Sequence, residues 1–141
     1  MIHASRRTSL LIIDDDLDIL KFLDTILSAA GFDSRIAISA ADGLKEIAQS
    51  LPDAVICDLH MPGMSGLDFL RQLRALPHLE SLSVGIVTGD IGVPDAILEA
   101  IGQLDGSIRV GVLPREDLIQ FALELTSQPR QLAGGGESPS G

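Results

Sequence analysis

Short apolar runs alternate along this chain with segments in which apolar residues recur at helical spacing. Runs that are this short and continuously apolar are typical of strands buried on both faces. Strands that alternate with helices predict an α/β fold, in which helices cover both faces of a parallel sheet. The predicted strands span about Ser9 to Ile13, Ser34 to Ile38, Ala54 to Cys57, Ser83 to Val87 and Ile108 to Leu113.

Five helices are predicted between and after these strands. Each has apolar residues three and four positions apart, and glycine, serine or proline marks most of the ends. The predicted helical segments run from Leu17 to Gly31, from Ser39 to Leu51, from Leu67 to Leu76, from Pro94 to Leu104 and from Pro114 to about Ser127.

Two of the predicted strands end in aspartate. Asp14, Asp15 and Asp16 follow the first run, and Asp58 follows the third. Because the carboxyl ends of parallel strands meet at one edge of a sheet, these carboxylates should lie close together and need a cation or a proton between them. Carboxylate and carbonyl oxygens suit Mg²⁺, and a carboxylate is also a competent nucleophile toward phosphorus. The pattern therefore predicts a divalent-metal site built to hold a phosphoryl group.

Composition narrows the classes of function. A chain of 141 residues with 45% apolar residues suits one domain, which we predict over residues 1–127. Residues 128–141 carry too little apolar surface to fold, so they are predicted to be a disordered tail that leaves no room for an output domain. A net charge of −10 argues against direct binding to nucleic acid. The apolar runs are too short for a membrane span or a secretory signal, which predicts a cytoplasmic protein.

The segment from Asp58 to Gly66 reads Asp-x-x-Met-Pro-x-Met-x-Gly directly after an apolar strand. This string, the acidic cluster after the first strand and Thr88 after the fourth together resemble the receiver domain of two-component response regulators. The resemblance covers about Thr8 to Leu125. It implies a flavodoxin-like, doubly wound sheet of five parallel strands in the order 2-1-3-4-5, with five helices.

The resemblance also implies a role for each matching residue. Asp58 would be the phosphoacceptor, Asp15 a direct ligand of Mg²⁺ or Mn²⁺, and Asp14 its partner through a water molecule. Asp58 itself and the backbone carbonyl of His60 would complete the protein ligands. Thr88 matches the switch hydroxyl, which hydrogen-bonds the phosphoryl group in this family.

Four positions bear on signalling. His60 and Asp90 lie where the family tunes attack of water on the acyl phosphate. The family normally has a Lys-Pro pair after its fifth strand, but here Leu113 precedes Pro114, so the usual cation is missing. An inward-turning aromatic of the same strand is replaced by Val110, and the chain contains no Tyr or Trp. Signal readout must therefore use other contacts.

The leading hypothesis is a stand-alone response regulator that is not an enzyme beyond Mg²⁺-dependent self-phosphorylation and self-dephosphorylation. A sensor histidine kinase or a phosphotransfer protein would supply the phosphoryl group, in a phosphorelay. Output would be a protein contact, either a homodimer or a target, through about Pro94 to Ser127.

Two other functions fit parts of the sequence. The missing lysine favours a pseudo-receiver that binds partners without phosphorylation, although such a protein has no physical reason to keep repelling carboxylates together. An enzyme of the haloacid dehalogenase type would use Asp14 within Ile13-Asp14-Asp15-Asp16 and Thr88 as its motifs. That family also needs a late lysine followed by acidic residues, and the chain has no lysine after Lys45.

Overall fold

The structure is a computed structural model, and it describes residues 7–79, 82–88, 95–96, 99–100, 109–112 and 118–127. Its strands are β1 (Ser9–Ile13), β2 (Asp33–Ala37), β3 (Ala54–Asp58), β4 (Ser83–Thr88) and β5 (Arg109–Val112). Its helices are α1 (Leu17–Ala29), α2 (Ala40–Gln49), α3 (Gly66–Arg74) and α4 (Leu118–Ser127), with a 3₁₀ turn at Pro77–Leu79.

The five strands form one parallel sheet in the order β2-β1-β3-β4-β5. This confirms the predicted fold class and strand order. Within the described residues, α4 corresponds to the fifth predicted helix. The segment predicted as the fourth helix contributes helical backbone at residues 95–96 and 99–100, and its other residues lie outside the described part. The predicted tail at 128–141 also lies outside it.

Side chains that alternate along the central strands fill two apolar clusters, one on each face of the sheet. Leu11 and Ile13 of β1 join the cluster under α2 and α3, whereas Leu10 and Ile12 join the cluster under α1 and α4. All four of these side chains are buried. The middle of a parallel sheet covered on both faces needs apolar residues on both sides of each strand, which explains why Leu10 to Ile13 and Ala54 to Cys57 are continuously apolar.

Capping residues set where the first two helices begin. Asp16 accepts hydrogen bonds from the backbone N–H groups of Asp18 and Ile19, and Ser39 accepts one from Asp42. Such caps satisfy N–H groups that have no partner within the helix. Each cap follows the end of a strand, so both helices start at the carboxyl edge of the sheet and run back beside it. No helix in the described part of the chain is both long and apolar enough to cross a lipid bilayer.

Candidate functional site

Three carboxylates meet at the carboxyl edge of the sheet, where β1 and β3 end side by side. Ile13 and Cys57 are register partners in these parallel strands, so Asp14 and Asp58 follow at equivalent positions. One oxygen from each of Asp14, Asp15 and Asp58 lies within 4.8 Å of the others. We call these three residues the acidic cluster. The structure thus brings together the carboxylates that the sequence places at two separate strand ends.

Backbone hydrogen bonds fix the two strand ends that carry the cluster. The N–H of Asp14 donates to the carbonyl of Ala37 at 3.2 Å, which extends the pairing with β2 by one residue. The N–H of Leu59, directly after Asp58, donates to the carbonyl of Val87 at 2.9 Å. The cluster is therefore attached to the sheet on both sides.

The adjacent aspartate has a different role. The side chain of Asp16 caps α1, while its N–H donates to a carboxylate oxygen of Asp14 at 3.0 Å. A capping carboxylate is engaged with the helix and is also favoured by the helix dipole. Among the three consecutive aspartates, only the first two contribute to the acidic cluster.

Burial and mutual repulsion raise the pKa values of two carboxylates in the acidic cluster. Burial, and then the negative charge of Asp14, raise the pKa of Asp58 from 3.8 to about 6, although an N–H bond from His60 opposes this rise. Burial also raises the pKa of Asp14, and the charge of Asp15 adds to that rise. A cation placed among these oxygens would relieve both effects. The donor set, three carboxylates at one partly buried edge, fits a hard divalent cation.

A family model described as the response regulator receiver domain matches residues 10–105 of this chain. The chain belongs to this family. DNA-binding response regulator MtrA of Mycobacterium tuberculosis is 33% identical over 94 residues, which are 67% of this chain and 35% of that protein. Transcriptional regulatory protein PrrA of Mycobacterium leprae is 31% identical over 98 residues, or 70% of this chain and 36% of that protein.

The fold agrees with this membership. A crystal structure of a response regulator receiver protein from Pseudomonas putida superposes with a TM-score of 0.74 at 27% identity, covering 88% of this chain and 98% of that one. The chain spans about a third of the length of the curated relatives it matches. What it shares with them is therefore the receiver part, whose family is a non-enzymatic module of two-component signalling.

The structure describes some, but not all, of the other predicted site residues of this receiver domain. Thr88 ends β4, one residue beyond Val87, which is the register partner of Asp58. Val110 lies in β5 opposite Ile86. His60 is exposed, and its N–H is 3.4 Å from a carboxylate oxygen of Asp58. Asp90 and Leu113 lie outside the described residues.

The loop after Asp58 is held by a reciprocal cap that the sequence reasoning did not identify. The hydroxyl of Ser65 accepts from the N–H of Asp68 at 3.2 Å, and the N–H of Ser65 donates to the carboxylate of Asp68 at 3.3 Å. Gly63 has a φ of +79°, a conformation that favours glycine. The pattern Ser-x-x-Asp before an apolar helix could have indicated this capping box.

Ser65→Ala is expected to lower the free energy of unfolding by about 1 kcal/mol, because it leaves the N–H of Asp68 without its acceptor. Ser65→Thr keeps a hydroxyl acceptor and is expected to retain most of that stability. Urea unfolding of the three proteins measures both differences. Equal losses for alanine and threonine would contradict a capping role for the hydroxyl.

Cys57 precedes Asp58 but turns into the core. Its side chain is fully buried, and burial raises the pKa of its thiol. A thiol that resists ionisation is a poor nucleophile and a poor metal ligand. Cys57 therefore acts as a small apolar residue beneath the acidic cluster.

Proposed function

We propose that this receiver domain accepts a phosphoryl group on Asp58 and passes the signal on through contact with another protein. The observation that carries the proposal is the acidic cluster, where the carboxylate of Asp58 lies beside those of Asp14 and Asp15. The phosphoryl donor would be a phosphohistidine on a sensor histidine kinase or a phosphotransfer protein. A carboxylate oxygen of Asp58 would attack the phosphorus, the P–N bond would break, and the imidazole would leave with a proton.

Mg²⁺ or Mn²⁺ is the cofactor that this site suits. Asp15, Asp58 and the backbone carbonyl of His60 would hold the ion directly, and Asp14 would hold it through water. When bound, the ion would neutralise charge on the oxygens of the transferring group. The direction of the pKa shifts is consistent with this assignment: burial raises the pKa values of Asp14 and Asp58 most, the neighbouring carboxylates add to the rise, and a bound cation would oppose both effects.

The remaining roles follow the same chemistry. The hydroxyl of Thr88 would hydrogen-bond the phosphoryl group, and His60 and Asp90 would tune attack of water on the acyl phosphate. Leu113 stands in place of the family's lysine, and the chain's only lysines, Lys21 and Lys45, belong to α1 and α2. The metal ion must then supply most of the positive charge, so phosphorylation should depend strictly on it.

The output would be a contact with a second copy of the chain or with a target protein, through about Pro94 to Ser127. This segment contains both residues that differ from the family pattern, Val110 and Leu113. Residues 1–127 would form the receiver domain, with a disordered tail beyond them, in a cytoplasmic protein. A phosphorylation-independent pseudo-receiver is the second candidate, and the leucine at 113 is the observation that favours it.

Intact-mass measurement with a small phosphodonor such as acetyl phosphate tests the proposal. Wild type should gain one phosphoryl group only when Mg²⁺ is present. Asp58→Asn should gain none, whereas Asp33→Asn, which removes the same charge from an exposed position at the start of β2, should behave as wild type. If neither the phosphodonor nor a phosphorylated histidine kinase labels the wild type, the pseudo-receiver becomes the better conclusion.

A further inference from the structure

Sulfur atoms are concentrated beside the acidic cluster. Cys57, Met61 and Met64 lie close to Asp58 in the sequence, and Met1 is the one other sulfur-bearing residue of the chain. Cys57 is fully buried and Met61 is 9% exposed, so a dissolved oxidant reaches neither of them readily. Met64 is partly exposed. Among the sulfur-bearing residues that the structure describes, Met64 is therefore the most open to oxidation.

Met64 belongs to the loop that joins Asp58 to α3, and this loop is held on both sides of it. The left-handed backbone at Gly63 comes directly before Met64, and the capping box at Ser65 comes directly after it. The side chain of Met64 packs against the apolar cluster under α2 and α3, while part of it remains open to solvent. A change in the polarity of this side chain therefore acts on the loop as well as on the surface.

A hydrogen-bond donor already faces the sulfur. The side-chain amide N–H of Gln72, an exposed residue of α3, donates to the Sδ atom of Met64 at 3.6 Å. Side chains on a helix lean toward its N-terminus, which explains how Gln72 reaches back to the loop. A thioether sulfur is a weak acceptor, whereas a sulfoxide is polar and its oxygen accepts strongly. The donor therefore suits the oxidised form of Met64 better than the reduced form.

We propose that Met64 is a reversible oxidation site for hydroperoxides, and that its sulfoxide, held by Gln72, slows phosphorylation of Asp58. A lone pair of the Met64 sulfur would attack one peroxide oxygen, so that an S–O bond forms as the O–O bond breaks. The departing oxygen takes the proton of the transferred hydroxyl group and leaves as water, or as an alcohol when the oxidant is an organic hydroperoxide. The sulfur is oxidised by two electrons, and the peroxide is reduced by two.

The reverse reaction needs a different partner. Methionine sulfoxide is reduced by thiol-dependent sulfoxide reductases, in which two thiols form a disulfide and the sulfoxide oxygen leaves as water. A reductase must reach the oxidised side chain, and the partial exposure of Met64 allows this. Oxidation at Met64 would therefore be a switch rather than permanent damage.

Oxidation of Met64 should affect Asp58 through the backbone of the loop. Gly66, two residues after Met64, donates its N–H to the carbonyl of Leu59, the residue next to Asp58. A sulfoxide oxygen against apolar neighbours is costly, so the oxidised side chain should turn out of the apolar cluster toward Gln72. The loop would shift with it and disturb the end of β3. This regulatory step rests on the proposed function of Asp58, whereas the oxidation itself does not.

Graded oxidation of the full chain tests the site directly. The protein would be treated with hydrogen peroxide, quenched with free methionine and digested, and the gain of oxygen at each methionine would be followed by mass spectrometry. Met64 should be oxidised at least roughly fivefold faster than Met61, because susceptibility follows exposure. In concentrated urea the two rates should become equal, since the fold then protects neither residue. Equal rates in the folded protein would overturn the assignment.

Nuclear magnetic resonance tests the role of Gln72. Oxidation should shift the side-chain amide protons of Gln72 downfield, because the sulfoxide oxygen is the stronger acceptor. Those of Gln49, an exposed glutamine at the end of α2, should not move. Gln72→Glu removes the donor, and Gln49→Glu changes the net charge equally. Oxidised Gln72→Glu should unfold at lower urea concentration than oxidised Gln49→Glu. Unshifted Gln72 resonances would contradict its role as the donor.

Met64→Leu is the variant that cannot be oxidised at this position, since leucine has a similar volume and no sulfur. In intact-mass time courses with acetyl phosphate and Mg²⁺, peroxide-treated wild type should gain the phosphoryl group about threefold more slowly than untreated protein. A sulfoxide reductase should restore the rate. Peroxide-treated Met64→Leu should keep the rate of its untreated form. Equal slowing of Met64→Leu would assign the effect to another residue and overturn the proposal.

The outcomes distinguish failure of this proposal from failure of phosphorylation. Selective oxidation and the shift at Gln72 need no phosphodonor, so both would support the oxidation site even if Asp58 were never phosphorylated. The regulatory step would then fall together with the proposed function. A wild type that is phosphorylated equally fast before and after oxidation of Met64 would keep Asp58 as phosphoacceptor and overturn the regulatory step alone.

Discussion

Replacing Gly66 with alanine is expected to lower the free energy of unfolding by about 2–3 kcal/mol, because the added methyl group has no room. A Cβ atom at this position would lie 2.6 Å from the carbonyl oxygen of Asp58 and 3.0 Å from the Cα atom of Leu59. Both neighbours are backbone atoms, so no change of side-chain rotamer relieves the contact. The first turn of α3, or the strand end that carries Asp58, must move.

The backbone that must move holds Asp58 in its place in the acidic cluster. Gly66→Ala should therefore also impair metal binding and phosphorylation. The N–H of Gly66 donates to the carbonyl of Leu59 at 3.0 Å, which closes the loop after Asp58. We expect weaker Mg²⁺ binding and slower phosphorylation at temperatures where the variant remains folded. Calorimetric titration of Mg²⁺ and intact-mass time courses measure the two effects.

Gly43→Ala is the matched control within α2. A Cβ atom there would meet the Cδ1 and Cγ1 atoms of Ile13, which are side-chain atoms and not backbone. Alanine is also favoured over glycine inside a helix by about 1 kcal/mol, which offsets part of the cost. Urea unfolding should therefore show a loss less than half of that for Gly66→Ala. A loss at Gly43 that equals the loss at Gly66 would contradict the distinction between backbone and side-chain neighbours.

The sequence predicts the sheet well because each strand is marked by its own residues. β1 is apolar from Leu10 onward and is followed directly by Asp14, and β3 is apolar up to its last residue, Asp58, so both their burial and the edge at which they meet follow from the local pattern. The start of the second helix at Ser39 is predicted for a similar reason, since an N-cap such as Ser39 acts within one helical turn. The third helix ends earlier than predicted, at Arg74, because the chain turns through Ala75 and Leu76 before Pro77.

Features that depend on contacts between distant residues could not be predicted in this way. The sequence gives no sign that Arg35 reaches the end of α2, or that the last turns of α2 and α3 leave a groove between them. The tight approach of Gly66 to Asp58 is equally hidden, because a glycine at the start of a helix has several explanations. The pKa of Asp58 depends on burial and on Asp14, which only the assembled sheet brings beside it.

Replacing Asp58 with asparagine is expected to raise the free energy of unfolding by about 1–2 kcal/mol near pH 8, and by little near pH 4. Burial and the charges of Asp14 and Asp15 raise the pKa of Asp58 to about 6. The folded protein thus holds the proton more tightly than the unfolded chain, so ionisation of Asp58 destabilises the fold. A shift of this size corresponds to about 3 kcal/mol, and we expect roughly half because solvent screens a partly exposed carboxylate.

The pH dependence separates this effect from a simple loss of charge. The destabilisation by Asp58 is absent below its ordinary pKa of 3.8, grows as the pH rises toward about 6, and is complete above that value. Asparagine cannot ionise, so the variant should lack this pH dependence. Asp33→Asn removes one exposed carboxylate and should change stability by less than about 0.5 kcal/mol at any of these pH values. Urea unfolding near pH 4, 6 and 8 measures all three proteins.

Mg²⁺ should narrow the difference in stability between Asp58→Asn and wild type near pH 8. An ion that binds only the folded state stabilises it in proportion to its affinity, and wild type has one more carboxylate to offer than Asp58→Asn. Adding millimolar Mg²⁺ should therefore stabilise wild type more than the variant, and Asp33→Asn as much as wild type. If Mg²⁺ stabilised Asp58→Asn as strongly as wild type, Asp58 would not be a ligand, and the excess charge at the acidic cluster would need another explanation.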